Sequence, residues 1–436
     1  MRYYLNRMKF SKAWIVSVDM GYGHQRTAYP LRHLAFNGKI ITANNYDSMP
    51  KGDKKIWEKL YNFYNFISNF HEVPLVGKGV FKIFDAFQKI PPFYPRRGHF
   101  KSNLALKNSY ALFRRGWGRD LIEKLKKENP SLPIITTFFT PAFMAEFFKY
   151  PGDIFCIVSD TDAARAWAPL NPSSSRIKYL APTSRVAERL ELYGIRKENI
   201  ILTGYPLPME NIGENFETVK KDLRERILNL DPAGKYKQRY SSLIREHLGD
   251  LVEKSNHPLT ILFAIGGAGA QKRLASLILK GLRKSIEAGR IKIFLGAGIR
   301  EEVNGFFLKS ISNLKLNKFL GSNLEIIFTK DLFDFFRQFN EALRKTDILW
   351  TKPSELSFYT ALGLPIIIAP PIGSQEDFNK EWLTQLGSGL SQKNPAFADQ
   401  WLFDLLKEGW FAEAAMDGFV EAEKSAVNNI TKIISK

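Results

Sequence analysis

Short runs of β-branched and aromatic residues alternate with longer amphipathic stretches along both halves of this chain. In the first half, residues 13–18, 133–137 and 153–158 have the apolar character of buried strands. In the second half, residues 259–265, 347–350 and 365–369 repeat the pattern. Because alternation of strands with helical stretches is typical of parallel sheets with crossover helices, we predict an α/β fold.

The length of 436 residues is too great for one ordinary core. We predict two Rossmann-like domains facing a central cleft, at residues 1–209 and 258–415. Dense charge at helical spacing predicts a helical connector over residues 210–257. Residues 416–436 have helical character and are expected to form a C-terminal helical segment that packs back on the N-terminal domain.

The charge balance constrains the partners of the chain. Its 63 Lys and Arg residues exceed its 44 Asp and Glu residues by 19. This excess favours a polyanionic partner, either nucleic acid or an anionic membrane face, although a basic cytosol would also explain it. A single cysteine, Cys156, excludes an intramolecular disulfide framework and a cysteine-based zinc site. Without a signal peptide or a long apolar span, a cytoplasmic location is expected.

Residues 61–100 depart from the alternating pattern, since they contain eleven aromatic residues and five cations against two anions. Apolar residues at helical spacing beside a basic flank are typical of an interfacial helix at a membrane surface. The core of a helical insertion would have the same aromatic spacing. Both interpretations stay open at this point.

A glycine-rich turn follows the predicted strand 259–265 and is the clearest candidate site. It contains Gly266, Gly267 and Gly269, followed by Gln271 and the cations of residues 272–273. Glycines allow a phosphate to approach the backbone, and the following helix N-terminus favours an anion. Tight packing of a strand against a helix is the alternative explanation.

The equivalent turn of the first half contains Gly21, Gly23 and His24. Open α/β sheets bind ligands at the carboxyl ends of their strands, which would direct His24 into the crevice. A histidine there can bind a phosphate or act as a general base, or it can simply cap its own turn. Asp160 and Asp162 end a later strand and are candidate bases or caps.

Two further segments of the second half carry polar groups suited to a sugar nucleotide. Gln375, Glu376 and Asn379 supply the mixture of donors and acceptors that sugar hydroxyls require. The same residues also fit a capped helix start. Upstream, Lys352 precedes Glu355, whose carboxylate is a candidate acceptor for a ribose diol.

Taken together, these turns resemble the glycosyltransferase-B superfamily. The chain is most similar to the branch of the monogalactosyldiacylglycerol synthases, the processive diacylglycerol glucosyltransferases and the peptidoglycan lipid-linked N-acetylglucosaminyltransferase. The similarity rests on short motifs spread over most of the chain: Gly-Tyr-Gly-His at 21–24, Val-Ser-Asp at 158–160 with Trp167, Thr-Gly-Tyr-Pro at 203–206, Gly-Gly-Ala-Gly at 266–269, Lys-Pro at 352–353 through Gly-Leu-Pro at 363–365, and Gln-Glu at 375–376 with Asn379.

The resemblance implies inverting, metal-independent transfer of a sugar from a nucleotide diphosphate donor, usually a UDP-sugar, to a lipid acceptor. It implies no cofactor, an acceptor role for the N-terminal domain and a donor role for the C-terminal domain. His24 or Asp160 would act as the base, and Gly21 and Gly23 would contact the acceptor or a phosphate. The donor residues would be Gly266, Gly267, Gly269, Gln271, Lys352, Glu355, Gln375, Glu376 and Asn379. The expected location is the inner face of the membrane, bound peripherally through anionic lipid.

The chain departs from the family pattern at specific positions. Tyr22 replaces a glycine of the first turn, and Ser354 and Glu355 replace a Gly-Gly pair. The family's ribose-binding glutamate would fall near Phe358, so Glu355 is the candidate substitute.

Two other functions remain open from the sequence. Nucleotide-sugar epimerases that need no lipid share these two domains. A binding protein without catalysis, for sugar nucleotides or nucleic acid, would also explain the charge. Since the chain contains no recognisable nucleic-acid module, we expect no specific nucleic-acid partner.

Overall fold

The computed structural model describes residues 12–70, 90–266, 271–371 and 373–435, with side chains for all of these except 63–70. The chain divides into two compact units. The first consists of Met1–Pro206, Ile372–Phe378 and Glu423–Lys436, and the second of Leu207–Pro371 and Asn379–Ala422. Each unit is built on a six-stranded parallel sheet, which confirms the predicted α/β fold with two Rossmann-like domains.

The first sheet has the strand order β2-β1-β3-β4-β5-β6, and every neighbouring pair is parallel. Its strands are β1 Trp14–Ser17, β2 Ile41–Thr42, β3 Ile134–Thr136, β4 Ile154–Ile157, β5 Lys178–Ala181 and β6 Ile200–Leu202. All residues of β1, β3 and β4 are buried. Helices cover both faces of a parallel sheet, which explains why these strands are continuous apolar runs.

Helices of the first unit connect these strands. They are α1 Tyr22–Ala28, α2 Lys51–Phe70, α3 Leu104–Arg114, α4 Arg119–Glu128, α5 Phe139–Phe147 and α6 Ser184–Leu192. Helices α3, α4 and α5 contribute Phe113, Leu121 and Phe143 to the hydrophobic core around the sheet.

The second sheet has the order β12-β11-β10-β7-β8-β9, again entirely parallel. This is the strand order of a complete Rossmann fold. Its strands are β7 Leu259–Ala264, β8 Ile291–Gly298, β9 Leu324–Phe328, β10 Ile348–Thr351, β11 Ile366–Ile368 and β12 Gly389–Ser391.

The remaining helices follow in chain order. They are α7 Met209–Ile212, α8 Glu217–Leu230, α9 Lys235–Leu248, α10 Lys272–Gly281, α11 Arg283–Glu287, α12 Glu301–Asn313, α13 Leu332–Leu343, α14 Ser374–Gln385, α15 Ala398–Lys407, α16 Trp410–Glu421 and α17 Ala426–Ile434. Short 3-10 helices cover Tyr29–Leu34, Phe36–Gly38, Arg165–Trp167, Pro172–Ser174, Lys197–Asn199, Asn317–Phe319, Glu355–Leu362 and Pro395–Phe397.

The predicted helical connector at 210–257 lies within the second unit. Helix α8 buries Val219, Leu223 and Ile227 on one face, and its charged residues form the other. Arg226 is also buried and donates hydrogen bonds to backbone carbonyls, including that of Thr346 at 2.7 Å. The dense charge of α8 thus lies on the outer face of a helix that belongs to the second unit.

The predicted C-terminal segment, residues 416–436, is divided between the units. Its first residues complete α16 in the second unit, and α17 belongs to the first. The side-chain amide of Asn429 donates to the Thr203 carbonyl at 3.1 Å, and Thr431 Oγ1 lies 3.4 Å from His33 Nε2. These contacts hold α17 against the Tyr29–Leu34 turn and the segment that follows β6.

The aromatic and basic segment at 61–100 is described in part, since residues 71–89 lie outside the described range. Phe93 is buried beneath Arg185, whose guanidinium lies 4.0 Å from the ring centroid. Tyr94 and Phe100 are 66% and 63% exposed. Among the residues that the structure describes, no helix is long and apolar enough to cross a bilayer.

Candidate functional site

Each sheet has one point where the strand order reverses, between β1 and β3 in the first unit and between β7 and β10 in the second. In open α/β sheets, the loops that leave the carboxyl ends of these strands diverge and form the ligand crevice. Several of the residues predicted for the site lie on these loops.

In the first unit, Gly21 ends the loop after β1 and starts α1. Its φ of 90° lies in the left-handed region, which glycine adopts without the steric cost that other residues incur. The loop is fixed to its neighbour by paired hydrogen bonds, because the Asp19 amide donates to Asn44 Oδ1 at 2.7 Å and Asn44 Nδ2 donates to the Asp19 carbonyl at 2.9 Å. This geometry sets the position from which α1 presents His24.

His24 joins the two loops at the reversal point of the first sheet. Its Nδ1 lies 2.8 Å from the carbonyl oxygen of Thr137, the residue after β3. A carbonyl can only accept, so Nδ1 carries the proton and the neutral ring has its lone pair on Nε2. Thr137 Oγ1 donates in return to the His24 carbonyl at 2.9 Å. This hydrogen bond of Nδ1 reaches across the sheet edge rather than capping the turn of His24.

Two aromatic side chains pack near the His24 ring. The ring centroids of Phe138 and Trp167 lie 4.7 Å and 6.5 Å from that of His24. Trp167, from the Val-Ser-Asp…Trp motif, is buried, and its ring also contacts Phe139 at 5.4 Å. The motifs at 21–24 and 158–167 therefore meet in three dimensions.

The Thr-Gly-Tyr-Pro motif contacts α1, the helix that carries His24. Thr27 Oγ1 donates to the Gly23 carbonyl at 2.7 Å and lies 3.0 Å from the hydroxyl of Tyr205. Tyr205 is buried, so its position is fixed by packing as well as by this hydrogen bond. Thr27 and Thr137 were not among the predicted site residues, because their partners become visible only when the strand order is known.

Two aspartates follow β4, and hydrogen bonds fix the position of one of them, Asp162. Asp162 is buried and receives a bidentate pair from Arg189, with Nε at 2.8 Å and Nη2 at 2.9 Å. The Ala163 amide donates to the same carboxylate at 2.8 Å, which commits Asp162 to holding the loop. Asp160 is half-buried in the turn and stays the candidate base of this pair.

In the second unit, Lys352 joins the corresponding loops. A Cβ atom placed on Gly266, after β7, would lie 2.6 Å from Lys352 Cε and 3.4 Å from Nζ. The Lys352 side chain, which follows β10, therefore lies directly over the start of the glycine-rich turn. An ammonium beside a glycine-rich backbone is a combination that binds phosphate.

The rest of this turn is described in part. Gly267 and Gly269 lie outside the described residues. Gln271 precedes α10 with a φ of 71°, and its Nε2 donates to the Pro370 carbonyl at 2.7 Å. Lys272 and Arg273 occupy the first turn of α10, as predicted. The turn thus combines a helix N-terminus with several cations.

Glu355 and Phe358 lie on the 3-10 helix Glu355–Leu362. Phe358 is buried, and its ring centroid lies 5.3 Å from that of Trp382, so it is a core residue. Glu355 is half-buried at the first position of the helix. It is the carboxylate nearest to Phe358 in the sequence.

The segment 373–379 is a helix start rather than a loop, because α14 begins at Ser374. Glu376 and Asn379 are buried, and Asn379 Nδ2 donates to the Pro353 carbonyl at 3.1 Å. The Gln375 side chain lies over Gly373, with Oε1 3.0 Å from the position of a Cβ atom there. The boundary between the units falls within α14, so Gln375 and Glu376 belong to the first unit and Asn379 to the second.

No group of three or more His, Cys, Asp or Glu side chains that could hold a metal ion occurs among the residues with described positions. The cations on the loops that follow β7 and β10 are Lys272, Arg273 and Lys352, and Glu355 is a carboxylate on the second of these loops. Lys272 Nζ lies 5.8 Å from the centroid of the Phe306 ring.

Comparison with known proteins gives one family, one relative and several solved structures. Residues 252–393 match a family described as a domain of unknown function, DUF6938. The chain is 22% identical to the processive diacylglycerol beta-glucosyltransferase of Bacillus pumilus (strain SAFR-032) over 393 residues, which are 87% of this chain and 82% of the relative. The chain thus resembles the branch that its motifs predicted.

Solved structures with a similar course of the chain include MurG of Acinetobacter baumannii, at 14% identity and a TM-score of 0.42, covering 76% of this chain and 77% of that one. Another is the UDP-GlcNAc 2-epimerase of Neisseria meningitidis bound to UDP-GlcNAc, at 14% identity and a TM-score of 0.41, covering 77% and 81%.

Proposed function

We propose that this protein is an inverting, metal-independent glycosyltransferase that moves a sugar from a nucleotide diphosphate sugar, usually a UDP-sugar, to a lipid or other membrane-associated acceptor. The proposal rests on one observation: in each sheet, a side chain connects the two loops at the point where the strand order reverses. His24 joins the loops of the first sheet, and the Lys352 side chain lies over Gly266 in the second. The similarity to a diacylglycerol glucosyltransferase supports the choice of reaction.

The second unit is proposed to bind the donor. Gly266, with Gly267 and Gly269 of the same turn, would let the diphosphate approach the backbone. Lys352 and the N-terminus of α10 would offset its charge, which grows as the diphosphate leaves. Gln271 would position the turn, Glu355 would accept from the ribose diol, and Asn379 would bind the sugar. Gln375 and Glu376 lie on the same helix but belong to the first unit, and they are further candidates for binding the sugar.

The first unit is proposed to supply the base. As the acceptor hydroxyl attacks the anomeric carbon, its proton passes to Nε2 of His24, the carbon–oxygen bond to the acceptor forms, and the diphosphate leaves with the electron pair of the broken bond. The Thr137 carbonyl accepts from Nδ1 and stabilises the imidazolium that results. A single displacement inverts the anomeric configuration. Asp160 is the second candidate for the base, and Gly21 and Gly23 would contact the acceptor or a phosphate.

The proposed location is the inner face of the membrane. Tyr94 and Phe100 expose their rings beside Arg97 and Lys101, which are themselves exposed. Aromatic rings at headgroup depth and cations against anionic lipid contribute together, at ~1 kcal/mol per suitably placed cation. The net charge of +19 favours the same surface.

The donor site is tested by thermal unfolding with UDP, GDP, ADP, dTDP and UDP-sugars. A ligand at ~100 times its dissociation constant stabilises a single site by about 2.7 kcal/mol. We expect a selective shift with one nucleoside diphosphate. The matching labelled sugar nucleotide is then incubated with diacylglycerol liposomes, and NMR of the product reports its anomeric configuration.

The base is tested with His24→Ala, which should lower kcat about 10²- to 10⁴-fold and leave nucleotide binding unchanged. His33→Ala is the matched control, since His33 lies in the same unit on the Tyr29–Leu34 turn. If the protein epimerises a sugar nucleotide in the absence of lipid, its function is that of an epimerase and not of a transferase. Absence of both nucleotide binding and turnover would contradict an enzyme of either kind.

A further inference from the structure

A cavity of about 450 Å³ opens in the first unit at the edge where β4 and β5 begin. Its lining comes from α3, the end of α5, the turn before β4 and the segment before β5, and includes Tyr110, Glu146, Phe147 and Asn171. We call it the amino-edge cavity. His24 and Asp160 lie at the opposite edge of the same sheet, where the strands end, so the cavity is not part of the site described above.

Aromatic side chains form the apolar part of the amino-edge cavity. The rings of Tyr110 and Phe147 have centroids 6.1 Å apart and planes at 80°. Tyr150 is buried, and its hydroxyl donates to the Leu132 carbonyl at 2.7 Å. Rings held in this way present a fixed apolar surface to a ligand.

Polar groups of the lining retain hydrogen-bonding capacity. Glu146 Oε1 accepts from Ser175 Oγ and from the Arg176 amide, both at 2.8 Å, which fixes the carboxylate. Its Oε2 and the Asn171 carboxamide make no hydrogen bond with any residue in the described part of the chain. Glu146 therefore offers an acceptor, and Asn171 offers two donors and an acceptor.

Tyr110 adds a donor. Its hydroxyl oxygen accepts from the Leu170 amide at 3.3 Å, which leaves the hydroxyl proton for another partner. Burial raises the pKa of Tyr110 to about 12, so this proton is retained at physiological pH. The lining thus combines acceptors and donors with aromatic faces.

The charges of the lining favour a neutral ligand. Lys149 and Arg176 are cations of the rim, and Arg176 Nη1 already donates to the Gly152 carbonyl at 3.0 Å. Within the described residues, no ion pair joins Glu146 to either cation. A phosphate in the cavity would lie against Glu146 Oε2, and two negatively charged groups repel each other. A hydroxyl would instead donate a hydrogen bond to this oxygen.

We propose that the amino-edge cavity binds a neutral carbohydrate of one or two pyranose units. Sugar hydroxyls both donate and accept, as the Glu146, Asn171 and Tyr110 groups require, and the C–H face of a pyranose packs on aromatic rings. The cavity volume falls within the usual range for small-molecule sites. The proposal is independent of the glycosyltransferase reaction and assigns the first unit a sugar site at the sheet edge opposite to His24 and Asp160.

The test is calorimetric titration of the full chain with glucose, galactose, N-acetylglucosamine and their β-linked disaccharides. We expect at least one to bind with a Kd on the order of 1 mM. Glu146→Gln keeps the Oε1 acceptor and removes the carboxylate, so it should weaken binding at least about tenfold. Glu123→Gln, on the exposed face of α4, is the matched control and should bind as wild type.

Two further variants distinguish loss of the binding site from unfolding and from binding near His24. Asn171→Trp places a large ring in the mouth at an exposed position and should abolish binding even if Glu146→Gln unfolds. His24→Ala should leave binding unchanged, because His24 lies at the other sheet edge. The proposal is overturned if no sugar binds, if all variants bind equally, if His24→Ala removes binding, or if inorganic phosphate binds instead and Lys149→Ala weakens it.

Discussion

The contact between Lys352 and Gly266 gives a sharp test of the donor site, through the substitution Gly266→Ala. The new methyl group would lie 2.6 Å from Lys352 Cε, whereas an ordinary contact is 3.4–4 Å. Cε must therefore retreat by roughly 1 Å, and the ammonium moves with it. Gly266 is not among the glycines with a positive φ, so alanine fits the backbone itself.

The expected effect is a loss of nucleotide binding without a loss of stability. A hydrogen bond to a charged group contributes about 1.5–3 kcal/mol, which corresponds to a Kd for UDP that rises about 10- to 100-fold. The clash partner is the end of a flexible side chain, so the free energy of unfolding should change by less than about 1 kcal/mol.

A double-mutant cycle shows whether the effect passes through Lys352. Titration calorimetry with UDP is performed on Gly266→Ala, Lys352→Ala and the double variant. If the methyl group acts only by displacing the ammonium, the double variant binds no more weakly than Lys352→Ala alone. Gly305→Ala, on α12 with no atom within 4 Å of its Cβ position, is the matched control. Wild-type binding by Gly266→Ala, or losses that add in full, would refute this reasoning.

Three other predictions concern stability and membrane binding. Arg189→Met removes the bidentate partner of the buried Asp162 carboxylate and leaves only Arg185 at 4.0 Å and the Ala163 amide, so it should lower the free energy of unfolding by about 3 kcal/mol in urea denaturation, whereas adding Asp162→Leu should restore most of it. Burial raises the pKa of Asp347 to about 8, so the folded state holds this proton more tightly than the unfolded chain and stability falls as pH rises from about 4 to about 8. Asp347→Asn should flatten that dependence in urea melts at a series of pH values, and an unchanged slope would show that another group titrates. Lys101→Glu should weaken sedimentation with anionic vesicles at least about fivefold, unlike Lys127→Glu on α4, and equal binding of both would place the membrane contact elsewhere.

The central strands could be predicted from the sequence because burial on both faces leaves continuous apolar runs, as in β1, β4 and β7. The edge strands β2 and β12 could not. Strand β2 has two residues and β12 has three, which is too short for a pattern to emerge. Helical structure within residues 210–257 could be predicted from the spacing of the charges, whereas the packing of the buried face of α8 within the second unit could not, because it depends on distant residues.

The candidate site was predictable as a set of turns but not as a set of contacts. His24 could be selected because glycines precede it after a strand, yet its partner Thr137 is 113 residues away. The burial of Glu376 and Asn379 depends on what covers α14, which no local pattern reveals. Strand order determines such pairings, and strand order is a property of the whole sheet.

Residues that complete the first unit come from the two ends of the described chain. Helix α17 contacts the Tyr29–Leu34 turn, and a Cβ on Gly204 would lie 2.4 Å from Glu423 Cγ. During synthesis, β1 to β6 leave the ribosome long before residues 423–434 are made. The second unit is nearly finished by then, so the first unit must wait for α17 and holds an uncovered surface meanwhile. A chain that ends after residue 422 would contain every residue of the second unit and would lack the Glu423–Lys436 part of the first.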